Sequence, residues 1–420
     1  MDSSCDYLIV GGGVTGLSSA NFLKGEDWIL CEALDEVGGY CKTIYQDGFV
    51  WDYSGHFFHF KTDFVKNMFL SKMKNEELYI IKKRTGIIYE NERIDFPFQK
   101  NIHQLPKKDF IDCLYELINR PETEPNNFLE MLYCNFGKGI VDKFLKPYNE
   151  KLYSCDLSDL DLDAMGRFFP YANLKDIVSN FKNTSEESYN STFLYCKLGA
   201  YGFIKSLVED LDDERILMNH RLVKVDEKNK IASFSNGRKI QYKFLISSIP
   251  FTKLMDGIND AEYDTNVYTY NKVLVFNLGF DRPSKTKDHW LYFPSKDLIF
   301  YRVGFYDNIL SDDRMSLYVE IALTVNEEVS EDIMLERVME DLRICDIVEN
   351  HNLVSHKSVI MDPAYVHIKK ESNADFIKKD KQLRASEIYS IGRYGAWKYC
   401  SIEDNIIEAY ELCNELRGIE

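Results

Sequence analysis

The chain predicts an α/β protein of two or three domains, and three observations carry that prediction. A short apolar strand near the N-terminus runs straight into a glycine turn and then a helix. Residues 61–164 are helical in texture, whereas residues from about 268 to 368 are dense in Val, Tyr and Phe strands. The last stretch returns to an apolar strand, 387–393, and an amphipathic helix, 402–416, so the N-terminal layer is expected to be discontinuous.

The first element reads Asp6-Tyr7-Leu8-Ile9-Val10-Gly11-Gly12-Gly13-Val14-Thr15-Gly16, with Leu17, Ala20 and Leu23 at helical spacing behind it. Gly11 suits a tight turn, Gly13 lets a pyrophosphate approach the backbone, and Gly16 lets the helix sit close to the strand. Free N–H groups at the helix start then face the phosphates. A second strand, Trp28-Ile29-Leu30-Cys31, ends at Glu32, placed to accept from an adenosine ribose. Glycines alone are a weak signal; strand, helix and acid together make a Rossmann-type dinucleotide site.

The next stretch, Asp35-Glu36-Val37-Gly38-Gly39-Tyr40-Cys41-Lys42-Thr43, resembles the extended FAD motif of the amine-oxidase and mutase flavoproteins. Gly38 and Gly39 offer a second bare backbone surface. Lys42 is a candidate neighbour of the pyrophosphate, with a solvated surface position as the alternative. Alternation over 49–53 predicts a strand and then a turn at Ser54-Gly55. His56 and His59 follow, but no carboxylate cluster joins them, so no metal site is expected and a buried histidine is the commoner fate.

Helices are expected over 62–73, 107–119, 127–136 and 139–145, with a Pro-rich break at 121–125 and a strand-like segment at 85–96. After Gly199-Ala200-Tyr201-Gly202 comes a helix, 204–211, then strands at 221–226, 231–234 and 243–250. Further strands are expected at 273–279, 290–293, 298–304 and 315–324, and a helix at 330–343.

Composition bounds the function. The net charge of −17 argues against non-specific nucleic-acid binding, which needs Lys and Arg to neutralise phosphates, but says little about a small anionic ligand. The 27 Tyr and 27 Phe suffice to line a large apolar pocket with polar rims. No apolar run reaches membrane-spanning length, and Met1-Asp2-Ser3-Ser4-Cys5 lacks a secretory pattern. The ten cysteines are scattered without Cys-x-x-Cys spacing, so a reduced cytoplasmic protein without structural metal is expected.

Over most of its length the chain resembles the UDP-galactopyranose mutases, the eukaryotic members in particular. Tyr53-Ser54-Gly55-His56-Phe57-Phe58-His59 is similar to the segment beside the isoalloxazine, implying Gly55 and His56 at the cofactor. Phe96-Pro97-Phe98-Gln99-Lys100 resembles a uridine-side segment, and Lys146-Pro147-Tyr148-Asn149-Glu150-Lys151-Leu152-Tyr153 a helical segment reaching the substrate, with Tyr153 where the family has Trp. Trp290-Leu291-Tyr292-Phe293-Pro294 and Phe300-Tyr301-Arg302 resemble the segments of a diphosphate tyrosine and arginine. Gly392-Arg393-Tyr394-Gly395-Ala396-Trp397-Lys398-Tyr399 is the most specific match, with Gly392 and Arg393 at the flavin, Tyr399 near substrate, and Ser401 and Ile402 following on the cofactor side. Arg167 is the candidate second diphosphate arginine, one residue out of step, and Tyr365 stands in Ala364-Tyr365-Val366, which lacks the family's proline.

The resemblance implies FAD in its reduced form, with NAD(P)H or another reductant, and a nucleotide-diphosphate sugar as substrate. Interconverting pyranose and furanose forms breaks the anomeric bond to the diphosphate, and arginines aimed at the departing group stabilise its charge. The implied nucleophile is N5 of the reduced flavin, through a flavin–sugar adduct. The expected division is an FAD-binding domain from 1–60, 197–255 and 385–420, a helical domain from 61–164, and an antiparallel-sheet substrate domain from 165–196 and 256–384. An oligomer remains open. The competing readings are an FAD-dependent oxidoreductase of the amine-oxidase kind and a flavin-binding scaffold without activity.

Overall fold

A computed structural model describes residues 3–74, 76–182, 191–258 and 261–418, so Met1 and Asp2 of the stretch read for a leader lie outside it. Strand Ser3–Val10 is the centre of the first sheet. Its residues Tyr7 to Val10 are all buried, as in an interior strand covered on both faces. Trp28–Cys31 pairs parallel on one side, Tyr7 opposite Trp28. Lys239–Ser247 pairs parallel on the other, from Ser3 opposite Ile240 to Val10 opposite Ser247. Ile216–Leu217 extends one edge. Leu222–Asp226 and Ile231–Phe234 form an antiparallel extension of the other. The C-terminal strand Ile388–Ser390 pairs parallel with Lys239–Ser247, which makes this layer discontinuous in sequence as expected.

The second sheet runs Leu353–Met361, Lys272–Phe280, Ser316–Leu323, Arg302–Phe305, Trp290–Tyr292, Thr85–Tyr89, Glu92–Asp95. It is antiparallel except where Trp290–Tyr292 runs parallel to Thr85–Tyr89. Two expectations are corrected here. The strands at 85–95 join this sheet rather than the helical layer. Leu174–Asn180, assigned to the sheet region, is a helix whose Asn180 donates to the Lys100 carbonyl at 2.8 Å, beside the 97–101 turn. Strand pairing is set by distant partners, here some 200 residues along the chain, and no local pattern names them.

The helical layer comprises Lys107–Ile118, Phe128–Ile140 and Lys146–Tyr153. Gly137 (φ 71°) breaks the second of these where the sequence placed its gap, and a Cβ there would lie 2.3 Å from the Glu116 carbonyl oxygen. The helix Lys370–Ala385 was not expected. It buries only Ser372 and Leu383, so it carries too weak an apolar stripe to read by periodicity. Among the described residues no helix is long and apolar enough to cross a membrane.

Candidate active site

The glycine turn folds as its chemistry requires. A Cβ on Gly16 would sit 1.9 Å from the Gly11 carbonyl oxygen, so only glycine lets the helix lie this close to the strand's end. Gly13 caps helix Val14–Phe22 without any side-chain acceptor, leaving the first helical N–H groups for a ligand. Gly13 faces Gly39 backbone to backbone, since a Cβ on Gly39 would meet the Gly13 Cα at 3.3 Å. Glu32 is fixed by its neighbours: Gly12 N–H donates to Oε2 at 2.7 Å and Leu34 N–H to Oε1 at 2.9 Å.

These residues form one end of a cavity of about 750 Å³. Gly11, Gly13, Glu32, Gly38 and Gly39 line it, and so do Gly55, His56, Arg302, Tyr365, Arg393, Tyr399 and Ile402. Twelve positions from distant parts of the chain thus line one cavity. The other expected residues lie outside the lining. Gly16 packs beneath the turn. Gly392 (φ 84°) donates its N–H to Glu408 at 2.9 Å. Ser401 caps helix Ile402–Arg417.

Six further expectations are corrected. Lys42 is neither solvated nor in the cavity: its ammonium is buried against Glu36 at 2.9 Å. Arg167 pairs with Asp404 in the first turn of the C-terminal helix and is absent from the cavity lining. Phe98 is a packing residue, stacked on Phe144 at 5.0 Å. Gln99 is fully buried and donates to the Pro170 carbonyl. Tyr153 lies edge-on to Tyr365 at 5.8 Å with its hydroxyl unpartnered among the described residues, and Tyr292 accepts from Trp290 Nε1 at 2.8 Å; neither lines the cavity.

The two cavity arginines differ in their surroundings. Arg302 Nε donates to Glu320 Oε2 at 2.8 Å and Nη2 to Oε1 at 2.6 Å, a bidentate pair with a fully buried carboxylate. Ser54 also donates to Glu320. Among the described residues Nη1 has no partner. Arg393 has no carboxylate partner among the described residues. Nη1 donates to the Cys400 carbonyl at 3.4 Å, and the buried Nε is unpartnered among the described residues. Its guanidinium carbon lies 4.6 Å from the Tyr399 ring centroid, 5.4 Å from Tyr365 and 5.9 Å from Tyr394. Tyr394 lines the cavity too, and burial pushes its phenol up to about 12. Burial likewise raises the Cys41 thiol to about 12 and Cys400 to about 11, so both stay protonated.

His56 carries a buried Nδ1 without a partner among the described residues. Burial, opposed by Glu320, lowers its pKa to about 4, so the ring is neutral at pH 7. The folded value lies below the unfolded one of about 6.5. Its contribution to stability is therefore complete above about pH 6.5 and lost as pH falls towards about 4, at no more than about 1.4 kcal/mol per pH unit. We expect His56→Gln to lose less stability than the parent between pH 7 and 4.5 in denaturant titrations. An equal loss in both would mean that the folded site accommodates the proton.

Glu320, Ser54 and Asn405 were missed from sequence. Glu320 had a signal: it interrupts the apolar strand Ser316–Leu323, whose flanking residues are buried. Asn405 had none. It accepts from Thr15 Oγ1 at 3.0 Å and from Arg393 N–H at 2.8 Å, joining three distant segments.

A bare diglycine cradle, an uncapped helix N-terminus, a ribose-placed carboxylate and unpartnered polar atoms at His56 and Arg393 fit a flavin dinucleotide, and define the class: a flavoprotein with a dinucleotide fold and a second sheet over the cofactor cavity. The profile described as flavin containing amine oxidoreductase matches residues 14–358, and the chain belongs to that family. A crystal structure of reduced UDP-galactopyranose mutase superposes with a TM-score of 0.91 at 24% identity, covering 99% of this chain and 94% of that one. Among curated proteins, a corticosteroid-binding protein of Candida albicans is 24% identical over 59% of this chain and 52% of its own length. Chloroplastic protoporphyrinogen oxidase 1 of Spinacia oleracea is 25% identical over 38% of this chain and 31% of its own length. The chain thus spans about half, or less, of the curated relatives it matches.

Proposed function

We propose that the protein is a flavin-dependent nucleotide-sugar mutase that interconverts pyranose and furanose forms, in the manner of UDP-galactopyranose mutase. One observation carries the reading: two arginines, Arg302 and Arg393, stand with tyrosine hydroxyls on the wall of the same cavity that the glycine cradle lines. A diphosphate leaving group gains negative charge as the anomeric bond breaks, and preorganised cationic donors favour that change. Arg302 Nη1 and the hydroxyls of Tyr365 and Tyr399 supply donors. Glu320 holds the Arg302 fork rigid, so little reorganisation accompanies the reaction. Arg393, the Gly13 helix terminus and Glu32 would hold FAD, with neutral His56 beside it. When bound and reduced, the flavin supplies a nucleophilic ring nitrogen, so a reductant such as NAD(P)H is required.

The alternative is an amine-oxidase-like FAD oxidoreductase. It is favoured by the buried Glu320, which offsets the charge of Arg302, and by the oxidase among the curated relatives. The test is to incubate dithionite-reduced enzyme with a panel of UDP- and dTDP-hexopyranoses and look for furanose products. Product formed only after reduction, without oxygen uptake, is the expected result. Rapid turnover by the oxidised enzyme with oxygen consumed would overturn it.

A further inference from the structure

We propose that Lys151 is a positioning residue, a clamp on the turn that delivers Arg302 to the site. Its ammonium donates to four main-chain carbonyls: Phe293 at 3.2 Å, Ser295 at 2.7 Å, Leu298 at 2.8 Å and Phe300 at 2.5 Å. No carboxylate lies within ion-pair distance of it among the described residues. Lysine has three protons for these four acceptors, so at least one is shared.

All four carbonyls belong to one turn, 293–301, which joins strand Trp290–Tyr292 to strand Arg302–Phe305. Across that hairpin Tyr292 stands opposite Arg302. The other side of the turn is held by the opposite charge. Asp341, fully buried in helix Glu331–Ile344, accepts from Ile299 N–H at 2.7 Å and is itself paired with Arg337 at 3.1 Å. The Lys151 amine thus grips four carbonyls of the turn while the Asp341 carboxylate grips one of its amides.

The clamp also transmits the position of helix Lys146–Tyr153. Tyr148 of that helix meets the Tyr292 ring edge-on at 5.3 Å. The Leu152 carbonyl accepts from Asn271 Nδ2 at 2.7 Å, and Asn271 Oδ1 accepts from Tyr365 N–H at 3.0 Å. One helix therefore registers Arg302 through Lys151 and Tyr365 through Asn271. Lys151 itself does not line the cavity, so its influence on a ligand must pass through these residues.

The test uses the FAD-loaded full chain with Lys151→Met. Lys151→Gln, which keeps one donor group, replaces it if the first variant does not accumulate. Amide hydrogen exchange across 290–304 should rise at least about tenfold, while exchange in strands 3–10 and 239–247 is unchanged. The dissociation constant for UDP, the probe, should rise about tenfold with flavin occupancy unaltered. In an Arg302→Ala background the same replacement should change UDP binding less than about twofold, because its effect already runs through that arginine. Unchanged exchange in the turn, or equal effects of Lys151→Met on UDP binding in both backgrounds, would overturn the clamp. The UDP arm rests on the mutase reading and the exchange arm does not. A parent protein that binds no UDP would overturn the mutase reading and leave exchange to decide the clamp.

Discussion

Arg302→Ala is expected to reduce sugar conversion by about 10²–10³-fold, the range for removing one donor aimed at developing charge, while FAD stays bound. The same variant should lose about 3–5 kcal/mol of stability, because Glu320 is then left buried, charged and without its bidentate partner. The two effects separate in a double variant. Arg302→Met with Glu320→Leu removes both charges, so most of the stability should return, but turnover should not. Chemical denaturation and product analysis on the two variants read this directly. If Arg302→Ala instead releases the flavin and leaves turnover of the reloaded enzyme intact, Arg302 serves the cofactor rather than the leaving group.

Arg393→Met is expected to act with opposite signs on the two states of the protein. Among the described residues Arg393 is a half-buried cation without a carboxylate, and its Nε has no partner. An unmade donor of this kind costs about 1–3 kcal/mol. The flavin-free variant should therefore match or exceed the parent in melting temperature. With FAD the order should reverse, and the affinity for FAD should fall about 10–100-fold, the equivalent of one or two charge-assisted hydrogen bonds at about 1.5–3 kcal/mol. Equal FAD affinity in parent and variant would move Arg393 to the substrate side. A destabilised apoprotein would mean that its three-tyrosine setting already satisfies the cation.

The half of the candidate site with the glycine cradle was legible because its rules are local. Gly11, Gly13, Gly16 and Glu32 act within one strand–turn–helix–strand unit, and a side chain at Gly16 would strike a backbone atom five residues away. The same logic marked Gly38 and Gly39 as bare surface, and both line the cavity. It misread Lys42, because the partner that removes it from the cavity, Glu36, is an ion-pair choice that spacing alone does not fix. Arg167 shows the same limit over a longer range: its partner Asp404 is 237 residues away.

The sequence by itself determined the fold class, the flavin cradle and the return of the C-terminal strand, since periodicity and glycine chemistry are properties of short segments. It also marked Arg302, Arg393, Tyr365 and Tyr399 as candidates, through resemblance rather than through any local rule, and these four line the cavity. Only the tertiary structure decided which arginine is neutralised and which is not, and that Phe98, Gln99, Tyr153 and Tyr292 stand behind the wall rather than on it. The physical reason is that charge compensation and cavity exposure depend on neighbours brought together by sheet pairing. Glu320 reaches Arg302 only because strands Arg302–Phe305 and Ser316–Leu323 lie side by side with those two residues in register.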